Sequence, residues 1–288
     1  MATKEFWKRH ENLYYAFTNK KVLFGLVIFF SVAFLAIFGP SMTPYEYDEF
    51  AGQGYLPPSS DHWFGTTLMG KDVFTRVVYG LRSTFLVGFV GGTIATFVGL
   101  IIGFIAGYNS GKMTDEILMM ITNIFLVIPT LALLILLSAY LPYRGIFSMS
   151  IIIGLSAWTW TARAVRSQTL SLKNQEFVNL SRITATPVLR ILGEDIAANM
   201  FSYVFMVYII QFTGAILAAV TLEFIGLGPT RGISLGLIMQ NAVNWNAIQL
   251  GLWWWAILPG LLVTILIVSL YFINTGLDEV FNPRLREM

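Results

Sequence analysis

Charged residues stay out of six long stretches of this chain, and that constrains its fold more than any other feature. Between Lys21 and Glu46 lie 24 uncharged residues, with 29 between Arg82 and Lys112 and 27 between Glu116 and Arg144. Eighteen more separate Arg144 from Arg163, 27 separate Asp195 from Glu223, and 46 separate Arg231 from Asp278. An Asp, Lys or Arg at the centre of a membrane helix costs roughly 2.5–3.5 kcal/mol, so such gaps are where a chain can cross a bilayer. Each is near the ~20 residues that a crossing helix needs. The last gap is longer, but its first part holds Gln240, Asn241, Asn244, Asn246 and Gln249. That is too many amides for a lipid-facing helix, which moves the final span to 251–273.

Composition agrees. Only 12% of the residues are Asp, Glu, Lys or Arg, against about 25% in ordinary soluble domains. Hydrophobic residues make up 56% and the mean hydropathy is +0.69. These values exclude a disordered chain, a nucleic-acid-binding domain and nearly every soluble enzyme class. Cysteine is absent, which excludes disulfides and thiolate metal sites. The net charge of +2 is too small to argue for a polyanionic partner.

The expected fold is an all-α integral membrane protein with six transmembrane helices at 22–39, 83–107, 117–141, 146–162, 196–222 and 251–273. Lys and Arg set its orientation, because they concentrate on the cytoplasmic side. With a cytoplasmic N-terminus the inner segments carry 13 of them and the outer segments 5 (Lys71, Arg76, Arg82, Arg144 and Arg231). Both termini are therefore expected inside, with external loops at 40–82 and 223–250, a cytoplasmic loop at 163–195 and a cytoplasmic tail at 274–288. The first run has a 21-residue flank and no small-residue cleavage site before Pro40, so it reads as an uncleaved helix rather than a signal peptide. Residues 1–21, with Phe6, Trp7, Tyr14, Tyr15 and Phe17 among charges, read as an amphipathic segment on the cytoplasmic surface.

Two loops exceed what connection requires. The external loop 40–82 mixes Glu46, Asp48, Glu49 and Asp61 with the aromatic residues Tyr45, Tyr47, Phe50, Tyr55, Trp63 and Phe64. It reads as an ordered cap that meets another protein or roofs a substrate path, with an interfacial aromatic belt as the alternative. In the cytoplasmic loop, Asn174 is a candidate helix cap ahead of Gln175 and Glu176. Phe177, Leu180 and Ile183 follow at helical spacing. Thr186-Pro187 repeats a start signal, Thr as cap and Pro at the first helical position. The expectation is helix, break near Ala185, helix, with apolar side chains that a soluble partner would cover.

Catalytic chemistry is missing from the sequence. His10 and His62 belong to no metal-ligand spacing. The stretch from Gly107 to Lys112 is one residue short of a phosphate loop, and Met113 stands where its Ser or Thr would be. The chain is therefore read as having no ATPase site and binding no cofactor of its own. No carboxylate lies inside the six spans, as ion coupling would need; Glu223 sits at the outer end of the fifth. Neutral polar groups do occur there, and Asn123, Ser156, Gln211 and Thr213, with Glu223, are candidates to line a pathway, interhelical hydrogen bonding being the competing role. Gly99, Gly103 and Gly107, with Gly88 and Gly92, mark a helix-packing face.

Several motifs together resemble a known family. His62-Trp-Phe-Gly65-Thr66, then Gly70-Lys71-Asp72-Val73 and Arg76, resemble the HPFGTD…GRD…R stretch of oligopeptide-type ABC importer permeases. Ala106-Gly107-Tyr108, Asp115-Glu116, Pro129, Leu222-Glu-Phe-Ile-Gly226-Leu-Gly228, Pro259-Gly260 and the ending from Gly276 to Arg284 fit the same family, over about Trp7 to Arg286. The chain looks like the second permease of the pair in dipeptide, oligopeptide or nickel uptake systems. The resemblance implies the type I ABC importer permease fold with its core at 83–273, in the cell membrane of a prokaryote. It also implies a second homologous permease, two ABC ATPase subunits carrying ATP and Mg, and an extracellular substrate-binding protein. Oligosaccharides or nickel are alternative cargoes, and an ATP-independent channel or secondary carrier is the alternative of another class.

In that family the loop before the fifth span carries an EAA…G motif that couples to the ATPase. Aligned through Gln175 to Val178, its Glu, Ala, Ala and Gly fall on Asn179, Leu180, Ser181 and Ala185, and none is retained. Asp195 and Ala198 replace the usual His and Pro, whereas Arg182, Leu189, Arg190 and Asn199 fit. The resemblance thus assigns ATPase coupling to Glu176, Phe177, Asn179, Leu180, Ser181, Arg182, Ala185, Thr186, Pro187, Leu189 and Arg190.

Overall fold

A computed structural model of the chain describes Tyr15 and residues 17–281. Most of the surface segment expected over 1–21, and the tail from 282 on with Arg284 and Arg286, lie outside the described residues. Among the described residues the structure is helical, with one isolated bridge between Thr66 and Asp72 and no strand. In order the helices are α1 (Lys20–Phe38), α2 (Val73–Tyr108), α3 (Met113–Val127), α4 (Thr130–Ala139), α5 (Ile146–Lys173), α6 (Glu176–Ile183), α7 (Phe201–Leu222), α8 (Leu235–Asn244) and α9 (Trp253–Phe281). A single turn, Val188–Arg190, and two wider π-helical stretches, Ile191–Ala197 and Glu223–Leu227, join them.

Four helical segments are long and apolar enough to cross a membrane: Lys20–Met42, Val73–Tyr108, Phe201–Leu227 and Trp253–Phe281. A broken pair, α3 and α4, brings the number to as many as five. The pair replaces the continuous span expected at 117–141. Pro129 lacks an N–H and pushes Ile128 into extended backbone (φ −75°, ψ 123°), and the two helices bend by 80° at that point. Helix α5 is apolar only in its first part, because Arg163, Arg166 and Lys173 lie on its second.

Helix ends also depart from the charge gaps. Helix α2 begins at Val73 rather than 83, since Asp72 caps it: the Thr75 N–H donates to Asp72 Oδ1 at 2.7 Å. Helix α9 continues to Phe281, beyond 273, and α5 continues to Lys173, beyond 162. The loop expected at 223–250 holds α8, capped by Ser234, whose Oγ accepts from the Leu237 N–H.

The chain divides into two compact units. Among the described residues, the first comprises those up to Val87, Tyr143–Ile146 and those from Ala219 on. In it Asn19 caps α1, its Oδ1 accepting from the N–H groups of Lys21 and Val22. Helix α1 packs on α9 at two close approaches. A Cβ on Gly25 would lie 2.6 Å from the Ser269 carbonyl oxygen, and one on Gly276 would lie 2.6 Å from Val22. The loop ahead of α2 is folded around buried polar groups. His62 Nδ1 lies 2.8 Å from Asp72 Oδ2, and the Trp254 indole N–H donates to the Thr66 carbonyl at 3.0 Å. Lys71 pairs with Asp48 and holds its carboxyl below the usual range.

The second unit comprises Gly88–Pro142 and Phe147–Ala218. Its helices meet on small residues. Gly99, Gly103 and Gly107 of α2 face Thr161, Val165 and Thr169 of α5, while Gly88 and Gly92 face Phe212 of α7. In lipid, tails are as apolar as the side chains, so close backbone approach replaces hydrophobic drive as the source of attraction.

Candidate partner-docking site

The segment 163–195 lies wholly in the second unit. Helix α5 carries the chain to Lys173, and α6 starts two residues after Asn174. The expected Asn174 cap does not form; Gln175 holds the cap position (φ −75°, ψ 152°) and makes no side-chain bond there. Glu176 occupies the first turn, where the helix dipole favours an acid.

One apolar residue anchors α6 and the others face outward. Val178 is fully buried against Val165, Ile191, Ile196 and Met200, with Leu172, Tyr203 and Tyr108 around them. Phe177, Leu180 and Ile183 are exposed, Ile183 at 82%, and past the break Val188 and Leu189 are exposed too, Leu189 at 84%. Five apolar side chains therefore crown a short element whose base is packed.

The break falls at Ala185, which adopts the left-handed conformation (φ 56°). The Thr186 N–H donates to the Ser181 carbonyl and the Ala185 N–H to the Arg182 carbonyl, both at 3.0 Å. This pair of bonds is the Schellman ending, which favours glycine at the left-handed residue. A Cβ there costs roughly 1–2 kcal/mol, so Ala185 does at some strain what a glycine would do freely. Thr186 contributes a hydroxyl 3.2 Å from that of Thr184. The cap of the next turn is Pro187, one position later than expected, with Val188 as its first residue.

Other coupling candidates serve the segment itself. Arg182 Nη1 donates to Asn179 Oδ1 at 3.3 Å, Ser181 Oγ donates to the Phe177 carbonyl, and Arg190 pairs with Glu194 at 3.0 Å. The last pair is exposed on both sides and adds little stability.

The pathway candidates are placed differently from one another. Asn123 is exposed, and its Oδ1 accepts from Arg163 Nη2 at 2.6 Å. Gln211 is buried and donates to the Ala157 carbonyl (3.1 Å) and Thr161 Oγ1 (2.6 Å), joining α7 to α5. Ser156 and Thr213 donate to carbonyls on their own helices, those of Ile152 and Ile209. Glu223 is buried in the first unit beside Ser234 and Gly236. Interhelical or intrahelical bonding thus takes up the hydroxyls of Ser156 and Thr213 and the amide nitrogen of Gln211.

Two contacts escaped sequence reading. Asp115, buried at the start of α3, takes both Arg166 Nε and Nη2, at 2.6 and 2.7 Å. Tyr108, the last residue of α2, has the Arg182 guanidinium 5.4 Å and the Lys173 ammonium 5.8 Å from its ring centroid. Burial, then the nearby Arg182 and Lys112 charges, lowers the Lys173 pKa. An acid in a first turn is a visible signal, but a partner 51 residues away is not.

Residues 99–287 match the family described as binding-protein-dependent transport system inner membrane component. The chain belongs to that family. Residues 4–58 match in addition the N-terminal transmembrane domain of oligopeptide transport permease C. Among relatives, the dipeptide transport system permease protein DppC of Bacillus subtilis is 30% identical over 99% of this chain and 86% of its own length. The oligopeptide transport system permease protein OppC of the same organism is 32% identical over 94% and 88%. The OppC protein of Haemophilus influenzae is 32% identical over 93% and 86%. This permease is thus a multi-pass membrane subunit of an ABC importer, similar to permeases and not to ATPases. A stand-alone channel or secondary carrier is not favoured.

Proposed function

We propose that this permease spans the cell membrane of a prokaryote six times, through α1, α2, the bent pair α3–α4, α5, α7 and α9, with both termini cytoplasmic. With a second homologous permease it forms the pathway for peptides delivered by an extracellular binding protein. Two partner ATPases hydrolyse ATP with Mg, and the segment 163–195 is where they dock. The alignment with dipeptide and oligopeptide permeases over nearly the whole chain carries the substrate class. The exposed apolar crown on α6 and the turn at Val188–Arg190 supports the docking. Neutral polar groups along the helices suit extended oligomers of varied side chains.

The test is uptake by the reconstituted importer with its own binding protein, offered labelled di- to hexapeptides, oligosaccharides and Ni²⁺ in turn. ATP-dependent accumulation of peptides at least tenfold above that of sugars or Ni²⁺ is expected. Accumulation of sugars with no uptake of peptides contradicts the reading.

A further inference from the structure

A docked ATPase can move the membrane helices through the backbone on either side of the docking element and through the side-chain contacts that leave it, and among those contacts one has a distinct chemistry. Arg182 on α6 and Lys173 at the end of α5 both lie over the ring of Tyr108, the last residue of α2. Two like charges brought to one place repel, and the negative face of an aromatic ring is what makes their approach favourable. Just before Tyr108, Gly107 brings α2 against α5: a Cβ there would lie 2.6 Å from Thr169 Cβ. The ring therefore stands where the ends of two close-packed helices meet the docking helix. It also packs on the cluster around Val178, which anchors α6 from below.

We infer that Tyr108 is a positioning residue that links α6 to the joined ends of α2 and α5, so that displacement of the docking segment reaches those helices. The inference rests on the docking reading above. The contact that carries it is the ring face toward a cation, so a phenyl or indole ring replaces it and an aliphatic side chain of similar bulk does not. Arg182 works through the same contact, and losing either partner breaks it.

The test compares the assembled importer with Tyr108→Leu, Tyr108→Phe and Arg182→Gln variants, reading copurified ATPase, ATP hydrolysis and substrate moved per ATP. Tyr108→Leu should keep its ATPase subunits and lower substrate per ATP about fivefold, about 1 kcal/mol at 1.4 kcal/mol per tenfold. Tyr108→Phe should retain at least half of the wild-type ratio. Combining Tyr108→Leu with Arg182→Gln should be no worse than either alone. A Tyr108→Leu complex with the wild-type ratio overturns the inference, as does a Tyr108→Phe complex that fails equally. If the unaltered permease copurifies with no ATPase, the docking reading falls and takes this inference with it.

Discussion

Replacing Ile183 and Leu189 together by glutamate should strip the ATPase subunits from the purified importer, lowering their recovery by a hundredfold or more. Both side chains are more than four-fifths exposed in the permease alone, and each would be buried on docking. Burying one such side chain contributes about 1.5–3 kcal/mol, so losing two removes roughly 3–6 kcal/mol, and every 1.4 kcal/mol is about tenfold in affinity. Two carboxylates forced into an apolar cleft add to the loss. The permease itself should be undisturbed, because exposed substitutions usually change stability by no more than about 0.5 kcal/mol. Copurification followed by quantitative staining measures the first effect, and a thermal melt in detergent measures the second. ATPase recovery at the wild-type level would leave the exposed crown without its assigned role.

Gly103→Val should prevent the second unit from packing. A Cβ at Gly103 would lie 2.7 Å from Val165 Cβ and 2.8 Å from the Ala162 carbonyl oxygen, and neither a backbone atom nor a β-branched Cβ can swing aside. Helices α2 and α5 would have to separate, undoing the approaches at Gly99 and Gly107 as well. The expected cost is about 3 kcal/mol, the upper part of the range for overpacking. Little monodisperse permease should survive extraction. Gly214→Val is the control, since nothing lies within 4 Å of a Cβ there. It should elute and melt like the unaltered protein. Size-exclusion profiles of the two variants side by side decide the matter, and similar profiles would show that the glycine face does not hold these helices.

Four long apolar helices were legible in the sequence, because excluding charge from hydrocarbon is a first-order energy, large enough to show in spacing alone. Helix ends were not. The cost of a charge vanishes outside the hydrocarbon, so nothing in the gaps revealed that α2 starts at Val73, or that α5 and α9 run on to Lys173 and Phe281. Pro129 was visible, but the 80° angle between the helices on either side of it was not. Within the docking segment the break near Ala185 was readable from Thr186-Pro187, whereas its backbone conformation was not, because alanine gives no sign of a left-handed residue. Helical spacing found Phe177, Leu180 and Ile183 but not which way they point. Val178, unremarked in that pattern, is the buried one. The Asp115–Arg166 pair and the cations over Tyr108 join residues distant in the chain, and local patterns cannot report them.

The central claim, that α6 and the following turn seat an ATPase, is tested most directly by cross-linking from the segment itself. The chain has no cysteine, so a single one introduced as Leu189→Cys, or as Ile183→Cys, gives an unambiguous attachment point for a short thiol-reactive photo-cross-linker. Phe50→Cys, on the exposed loop before α2 assigned to the outside, is the control. In membranes carrying the assembled importer, the account predicts a permease–ATPase adduct from positions 189 and 183 and none from 50. No adduct from either docking position, or equal yields from all three, would contradict it.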